Sequence, residues 1–442
     1  MATDIIDFIH DLKFSEVPVL GQKMAELCVL DLIGVGIGGA TLPSSKIVRD
    51  HVVEMFGAPE NAGTALLFDG RASSPVGTAL AGGITIDALD GHDGFNPTKG
   101  HVGCGVFPAA MAMAGATSLD DGQDFMGDIV VGYELGSRLG LALHATVSDY
   151  HTSGAWIAVA CAAIGARRLG LGREATRHAL GIAEYHGPRS QMMRVIDHPT
   201  MLKDGSGWGA MAGISAAYLA KAGFTGAPAI TAESNAVSEY WADLGDRWLI
   251  EEQYFKPYPV CRWAQAPIEG VLAIKRQHNI AADMVDHIEI ASFHEAVRLA
   301  KNDPKLTDEA QYSTSYPCAV VLVKGKLGIE EVSPNAFQDP EIMRLSTGLV
   351  MREDDHCNQN FPSDRLAKAE LHLKDGRILA SGIVRARWGP EIPATEAELR
   401  AKFHDLADGL VGVERANEIE NSVAAMAHEG SVSTLSDLIC RV

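Results

Sequence analysis

The stretch Phe255-Lys-Pro-Tyr-Pro-Val260 separates two parts of the chain that have different patterns of apolar residues. Two prolines within six residues are typical of a connector and would interrupt a helix. Upstream of this stretch, apolar residues recur at helical spacing, as in Leu20, Met24, Leu27 and Cys28. Downstream of it, runs that are typical of β-strands begin. The sequence therefore predicts a domain boundary near residue 255.

Small residues dominate three segments of the upstream part, namely Gly103–Thr117, Ile157–Leu169 and Met211–Ala222. The chain has 45 glycines in 442 residues, and they are frequent in this part. Because small side chains let helix axes approach closely, we expect these segments to be buried helices in one compact helical layer.

The downstream part contains three strand-like runs. The first, His287–Phe293, alternates between apolar and polar residues over its first half. The other two, Ala367–Leu373 and Ile378–Arg387, flank Lys374-Asp-Gly-Arg377, whose Asp-Gly pair is typical of a hairpin turn. These runs predict a small sheet.

Helical spacing returns over Thr395–Leu438. The sequence therefore predicts a mainly α fold, in which a large all-helical domain spans residues 1–255. A smaller α/β domain is expected over residues 256–391. Residues 392–442 should form a helical C-terminal return to the first domain.

Composition narrows the functional classes. The formal net charge of −20 repels nucleic acids and anionic membranes, so neither is expected as a partner. No apolar run is long enough for a transmembrane helix, and the N-terminus lacks the basic region of a secretory signal. The seven cysteines are scattered without a CxxC pair, and no glycine-rich dinucleotide motif or P-loop occurs. We expect a soluble cytoplasmic protein in which any site for an acidic substrate concentrates its own positive charge.

The densest cluster of polar residues lies between Asp87 and His101. It contains three Asp, two His and a Lys, and its glycines and proline would end a helix, so a loop after a helix is predicted. One interpretation is a solvated loop whose acids act as caps. Another is a metal site, since Asp90, His92, Asp93 and His101 offer oxygen and nitrogen ligands. No fixed ligand spacing such as HExxH is present, so we expect no metal.

Three further residues are isolated candidates. His151 precedes a small-residue helix, although a lone histidine is more often structural. Lys203 lies in an apolar, glycine-rich segment, where it could hold an anion or simply face the solvent. Tyr316 is ordinary by itself, and a packing role is the safer interpretation.

Five of these segments, in order, resemble motifs of the MmgE/PrpD family, which includes 2-methylcitrate dehydratase and cis-aconitate decarboxylase. The first is Ala88-Leu-Asp-Gly-His-Asp93, followed by Pro97, His101 and Pro108. The others are His151-Thr-Ser-Gly154, Met201-Leu-Lys-Asp-Gly-Ser-Gly207, Phe255-Lys-Pro-Tyr-Pro-Val-Cys261, and Tyr316 followed by Pro-Cys-Ala-Val. The resemblance spans essentially the whole chain.

This resemblance implies a helical domain with a smaller α/β lid, a homodimer, and an active site between the domains without a metal or organic cofactor. It implies that the catalytic residues are Asp90, His101, His151, Lys203 and Tyr316. We expect the substrate to be bound by Lys99, Asp93, Asn96, Lys256 and Arg262.

The chain departs from the decarboxylases of this family at several positions. They have Thr where Gly94 stands, His where Asn96 stands and His where Gln265 stands, and Lys99-Gly100 contains an apparent insertion. These differences argue against transferring the substrate of the decarboxylases to this chain.

The expected chemistry is proton transfer at a carbon next to a carboxylate of a small di- or tricarboxylate. Histidine suits this task because its unperturbed pKa is about 6.5. His101 and His151 would act as base and acid, in either order, and Lys203 together with Lys99 would bind carboxylates. Asp90 would orient or tune a histidine, and Tyr316 would donate a hydrogen bond or proton. We favour a lyase, either a dehydratase or a decarboxylase. The alternatives are an epimerase of the iminodisuccinate epimerase type, with Lys99 as second base, a metal-dependent hydrolase, and a non-catalytic polycarboxylate-binding protein.

We predict a homodimer formed mainly by the helical domain, because the small-residue helices and the resemblance both favour it. Sedimentation velocity at micromolar concentrations should show a particle of twice the chain mass. A monomer throughout that range would contradict the prediction.

Overall fold

Helices form most of the first 250 residues, as the spacing of apolar residues predicts. The computed structural model describes residues 4–59, 63–299 and 301–440. The helices before the connector are α1 (Ile5–Asp11), α2 (Val19–Gly39), α3 (Pro43–Met55), α4 (Pro75–Leu89), α5 (Gly103–Thr117), α6 (Gly122–Thr146), α7 (Gly154–Arg168), α8 (Arg173–His186), α9 (Met193–Asp197), α10 (Ser206–Lys221) and α11 (Ile230–Glu233). A two-stranded ribbon, β1 (Thr64–Ala65) with β2 (Ala72–Ser73), joins α3 to α4.

The three predicted small-residue helices are present as α5, α7 and α10, and all three belong to the buried part of this domain. Helix α4 begins at Pro75, directly after Ser74, whose hydroxyl accepts a hydrogen bond from the Gly77 amide at 3.3 Å. A serine cap followed by proline is a common helix start. Helix α4 packs on α5 and α10, and its C-terminal end, Asp87 to Leu89, is buried.

The α/β part follows the connector. Its helices are α12 (Arg262–His278), α13 (His294–Val297), α14 (Thr307–Gln311), α15 (Ser315–Lys324), α16 (Pro340–Thr347) and α17 (Asp355–Asn360). Its strands are β3 (Val285–Ser292), β4 (Val350–Glu353), β5 (Leu366–Leu373) and β6 (Ile378–Arg385), in the spatial order β4-β3-β5-β6. The predicted hairpin is confirmed, because β5 and β6 pair antiparallel around the Asp-Gly turn. Helix α12 packs on β5 and β6 and contacts α15.

The two largest hydrophobic cores follow the two parts of the chain. The larger one draws on residues 6–255 together with residues 388–440, and the second draws on residues 258–373. The C-terminal helices α18 (Glu396–Val411), α19 (Val413–Ala425) and α20 (Val432–Cys440) belong to the larger core, and α18 packs on α2. The fold is therefore mainly α with a smaller α/β part, as predicted. The connector lies between the two cores.

Within residues 4–59, 63–299 and 301–440, no single helix is long and apolar enough to cross a membrane. Helices α2 and α3 satisfy the length and composition criteria as a pair, but they are bent by 92° at their junction. Residues 25–39 of α2 are all buried inside the protein.

Close contact between α4 and α10 depends on glycine at two facing positions. A Cβ atom on Gly207 would lie 2.4 Å from the carbonyl oxygen of Leu80, and one on Gly83 would lie 2.6 Å from the Cα atom of Gly207. Both obstacles are backbone atoms, which cannot rotate away. The two helices must therefore separate if either glycine gains a side chain.

We predict that Gly207→Ala lowers the free energy of unfolding by about 1–3 kcal/mol, the usual cost of overpacking. Gly409→Ala in α18 is the matched control, because its Cβ would meet no described atom within 4 Å apart from the nearby backbone of its own helix. That change should be neutral or slightly stabilising, since alanine favours helices. Urea unfolding of the two variants tests the prediction. Equal stabilities would contradict it.

Candidate active site

A cavity lies where the end of α4, the connector and the α/β part meet. It encloses an empty volume of about 330 Å³, part of which is open to solvent. Its walls are formed by Asp90, Lys99, His101, Tyr150, Met192, Asp204, Tyr254, Lys256, Cys261, Arg262, Trp263, Tyr312 and Arg365. Of the predicted site residues, it therefore brings together Asp90, Lys99, His101, Lys256 and Arg262.

Asp90 and Lys256 form a buried ion pair on the cavity wall. Asp90 ends α4 in the left-handed conformation, with φ of 55°. The Lys256 ammonium group donates to its carboxylate at 2.5 Å and to its carbonyl oxygen at 3.1 Å. Burial opposes the charge on Lys256, but the Asp90 carboxylate outweighs burial and holds the pKa of Lys256 above its ordinary value. The pair thus fixes the loop after α4 against the connector.

The imidazole of His101 has a defined tautomer. Its Nδ1 lies 2.6 Å from the carbonyl oxygen of Asp93, which can only accept a hydrogen bond, so Nδ1 carries a proton. Its Nε2 lies 3.3 Å from Oδ2 of Asp204. Burial, reinforced by the positive charge of Lys256, lowers the pKa of His101 well below its ordinary value. A neutral His101 therefore presents the Nε2 lone pair at the cavity.

Glycine at position 94 allows Tyr254 and His101 to approach each other. A Cβ atom on Gly94 would lie 2.5 Å from the Tyr254 hydroxyl oxygen and 2.7 Å from His101 Nδ1. The Gly94 amide donates to the Tyr254 carbonyl oxygen at 3.0 Å, and the Tyr254 amide donates back at 2.8 Å. The threonine expected at this position in the decarboxylases would therefore displace both side chains here.

Three cations at the cavity have no carboxylate within 4 Å among the described residues: Lys99, Arg262 and Arg365. Arg262 and Arg365 are 5% and 3% exposed, and their guanidinium groups donate only to backbone carbonyl oxygens. The Lys99 ammonium lies over the Tyr150 ring, 4.7 Å from its centroid. Burial lowers the pKa of all three groups, that of Arg262 to about 10. The cavity thus holds positive charge that the protein itself does not neutralise.

Lys203 does not line this cavity. Its ammonium group contacts Asp308 at 3.1 Å and donates to the side-chain oxygen of Gln311, and both partners belong to α14 of the α/β part. The Gln311 amide in turn donates to the Leu89 carbonyl oxygen at 2.5 Å. Because Lys203 is only 3% exposed, the structure makes it a buried link between the two parts of the chain.

Two other predicted catalytic residues also lie off the cavity wall. The backbone amide of His151 donates to Nε2 of His144 at 3.2 Å, and the side chain follows Tyr150, which does line the cavity. The Tyr316 hydroxyl donates to the Glu331 carbonyl oxygen at 2.7 Å inside the second core. Their predicted catalytic roles stay predictions.

Asp93 and Asn96 are buried but do not line the cavity with their side chains. The Asp93 carboxylate accepts a hydrogen bond from Tyr133 at 2.8 Å, and burial raises its pKa to about 7 although that hydrogen bond opposes the shift. The Asn96 carbonyl oxygen accepts from Arg365 at 3.1 Å. Both residues support cavity-lining groups through their backbone, and their predicted contact with substrate stays untested.

Three of the four residues that were considered as metal ligands lie close together. The ligand atoms of Asp90, His92 and His101 all lie within 4.8 Å of one another. Lys256, however, already places an ammonium 2.5 Å from the Asp90 carboxylate, and a metal ion would have to compete with it. Burial lowers the pKa of His92 to about 3, and its Nε2 lies 3.3 Å from Asp87. The arrangement favours Lys256 as the cation at Asp90.

The sequence reasoning missed several cavity residues. Asp204 follows Lys203 directly, and its place in the same glycine-rich segment could have indicated it. Tyr254 directly precedes the connector and stands two residues before Lys256 in the sequence, and this position could have indicated Tyr254 as well. Arg365 lies before β5 and carries no local signal, because only the packing of the sheet brings it to the Asn96 loop.

The comparisons with known proteins define the class. The profile of the MmgE/PrpD N-terminal domain matches residues 3–243, and that of the MmgE/PrpD C-terminal domain matches residues 258–428. The chain belongs to the MmgE/PrpD family.

Curated relatives of this chain are similar over most of its length. A cis-aconitate decarboxylase-like protein, oryM, of Aspergillus oryzae is 23% identical over 99% of this chain and 97% of its own length. The cis-aconitate decarboxylase of Aspergillus terreus is 21% identical over 99% of this chain and 96% of its own length. A probable 2-methylcitrate dehydratase of Saccharomyces cerevisiae is 24% identical over 81% of this chain and 74% of its own length.

We predict that Lys203 and Asp308 are energetically coupled. Lys203→Met and Asp308→Asn should each destabilise the protein, because each leaves a buried partner uncompensated. The double variant should lose less than the two losses added, by about 0.5–3 kcal/mol. Urea unfolding of the three variants gives this coupling energy.

The more exposed pair of Lys301 with Glu309, the residue after Asp308, is the control, and its coupling should stay below about 1 kcal/mol. Additive losses for Lys203 and Asp308, with KM raised only by Lys203→Met, would instead support direct substrate binding by Lys203.

Proposed function

We propose that this protein is a lyase that moves a proton next to a carboxylate of a small di- or tricarboxylate, by dehydration or decarboxylation. Its relatives include a decarboxylase and a probable dehydratase, and both of these enzyme types are lyases, which supports the reaction class. The cavity is small and lined mainly by polar and charged side chains, which suits a small charged substrate.

One observation carries the proposal: the unneutralised cations Lys99, Arg262 and Arg365 surround the cavity that contains His101. Burying a charge without a counter-charge costs several kcal/mol, so a stable protein keeps such groups where a ligand supplies the opposite charge. Guanidinium groups suit carboxylates, because their fixed N–H geometry matches two oxygens. Three separated cations match a substrate with more than one carboxylate.

The same groups suit the chemistry. Removing a proton next to a carboxylate places negative charge on the carbon and on the carboxylate oxygens, and fixed cations lower the free energy of that transition state. His101 presents an unprotonated Nε2 to the cavity, as a general base requires. The ion pair of Asp90 and Lys256 is internally neutralised, so it holds the loop and leaves the other cations for the substrate.

An epimerase is the second candidate, and Lys99 favours it. Its ammonium lies at the cavity, and burial lowers its pKa, which makes it a better base than an exposed lysine. A lysine facing His101 across a substrate could return the proton to the opposite face.

We expect incubation with a panel of di- and tricarboxylates in deuterated water, followed by proton NMR, to show loss of water or carbon dioxide from one of them. Inversion with deuterium incorporation would identify the epimerase instead. Activity should survive exhaustive chelation. Loss of activity that one metal restores would identify a metal enzyme, and binding without turnover would identify a binding protein.

Arg365→Gln should raise KM roughly 10- to 100-fold, because a charged hydrogen bond contributes about 1.5–3 kcal/mol. Arg385→Gln on β6 is the matched control, since Arg385 is half exposed and pairs with Asp364 at 2.6 Å outside the cavity. Steady-state kinetics on the substrate found in the panel measures both variants. An unchanged KM for Arg365→Gln would contradict the proposed carboxylate site.

A further inference from the structure

Asp204 lies on the cavity wall beside His101 and has no role in the chemistry derived so far. Its carboxylate is 4% exposed, and Oδ2 lies 3.3 Å from His101 Nε2. We infer that Asp204 and His101 share one proton and together form the acid–base pair of this site. The inference rests on the proposed function for its reaction, but not for the existence of the pair.

The proton count follows from the geometry. His101 Nδ1 is protonated, because it donates to the Asp93 carbonyl oxygen at 2.6 Å. If Nε2 and Asp204 both lacked a proton, a lone pair and a carboxylate would face each other at 3.3 Å in a buried place. One proton between them turns this repulsion into an attraction. It makes either a carboxylic acid facing a neutral imidazole or a carboxylate facing an imidazolium.

The surroundings place the proton on Asp204 in the resting enzyme. Burial raises the pKa of Asp204 well above its ordinary value, and the negative charges of Asp87 and Asp90 at the end of α4 add to the shift. Burial and the Lys256 charge lower the pKa of His101. The other titratable groups that face the pair from neighbouring elements are His92, Cys104, Tyr150, Tyr254, Cys261 and Tyr312. The pair thus holds an acid and a base side by side at neutral pH.

Such a pair completes an elimination without another proton donor. When the Asp204 O–H turns from Nε2 to the leaving oxygen of the substrate, the freed Nε2 lone pair of His101 takes the proton from the carbon, and the C–H electron pair becomes the new C=C bond. The C–O bond breaks, and the leaving oxygen takes the Asp204 proton to depart as water. His101 then passes its proton to Asp204, which restores the resting state. In a decarboxylation, the C–C bond breaks, its electron pair takes the Asp204 proton as carbon dioxide leaves, and a proton from the solvent then restores Asp204.

In this pair, Asp204 is the acid–base partner of His101, a role that the sequence predicted for His151. Asp204 lines the cavity and its carboxylate lies next to His101, whereas the His151 side chain does not line the cavity. The two members of the pair lie on one side of the cavity. They therefore suit a lyase, which needs acid and base near each other, better than an epimerase, which needs them on opposite faces.

The test compares Asp204→Asn, Asp204→Glu and the control Glu134→Gln on the substrate that the wild type converts. Asp204→Asn should lower kcat roughly 10²–10⁴-fold, the usual contribution of acid–base catalysis, with KM changed less. Its pH profile should lose the alkaline limb, because an amide has no shared proton to release. Asp204→Glu should recover part of kcat.

Glu134→Gln changes an equally buried carboxylate that does not line the cavity and that accepts from the Leu249 and Ile250 amides. It should lower the melting temperature without altering the pH profile. If Asp204→Asn keeps kcat within threefold of the wild type, or changes only the melting temperature as Glu134→Gln does, the inference is overturned.

A second measurement needs neither substrate nor a variant. Nitrogen-15 NMR of the free wild-type enzyme should show His101 protonated at Nδ1, with Nε2 accepting a hydrogen bond between pH 6 and 8. A neutral His101 protonated at Nε2 would overturn the pair, as would an imidazolium that persists throughout this range. The expected NMR result without turnover of any polycarboxylate would leave the pair intact and contradict the proposed function alone.

Discussion

The buried ammonium group of Lys256 is the interaction on which the site depends. It binds both the carboxylate and the carbonyl oxygen of Asp90, and so it ties the end of α4 to the connector between the two cores. Its charge also acts on His101, whose pKa it helps to lower, and on Asp204. Removing either member of such a pair typically costs about 3–5 kcal/mol, because the remaining charge stays buried without a partner. One ion pair therefore sets both the shape and the electrostatics of the cavity.

The cavity is rich in positive charge, whereas the whole chain has a negative net charge. The formal net charge is −20, yet Lys99, Arg262 and Arg365 meet at one cavity without carboxylate partners in the described part of the chain. The acids beside them are held neutral or paired, because burial favours a protonated Asp204 and Lys256 neutralises Asp90. Long-range attraction cannot bring an anion to this protein. Selectivity must come from close contacts, which act over a few ångströms where water is largely excluded.

Much of the secondary structure could be predicted, because it depends on neighbouring residues. The helices α5, α7 and α10, the strand β3 and the hairpin of β5 and β6 all follow local periodicity and turn residues. The site could be predicted less completely. Asp90, His101 and Lys256 belong to segments with visible signals, whereas Asp204 and Arg365 reach the cavity through contacts between distant elements. Lys203 shows the same limit, since its contacts with Asp308 and Gln311 lie more than a hundred residues away in sequence, while its predicted role at the site stays a prediction.

The sequence by itself determined the fold class, the connector at residues 255–260, the loop after α4 and the family resemblance. Each of these depends on spacing within a short window or on the order of motifs along the chain. Only the tertiary structure decided which side chains share the cavity and which protons they hold. His101 meets Asp204 across about a hundred residues, and Arg365 meets the Asn96 loop across 269. Burial changes the pKa of these groups, and burial is a property of packing that no local stretch of sequence carries.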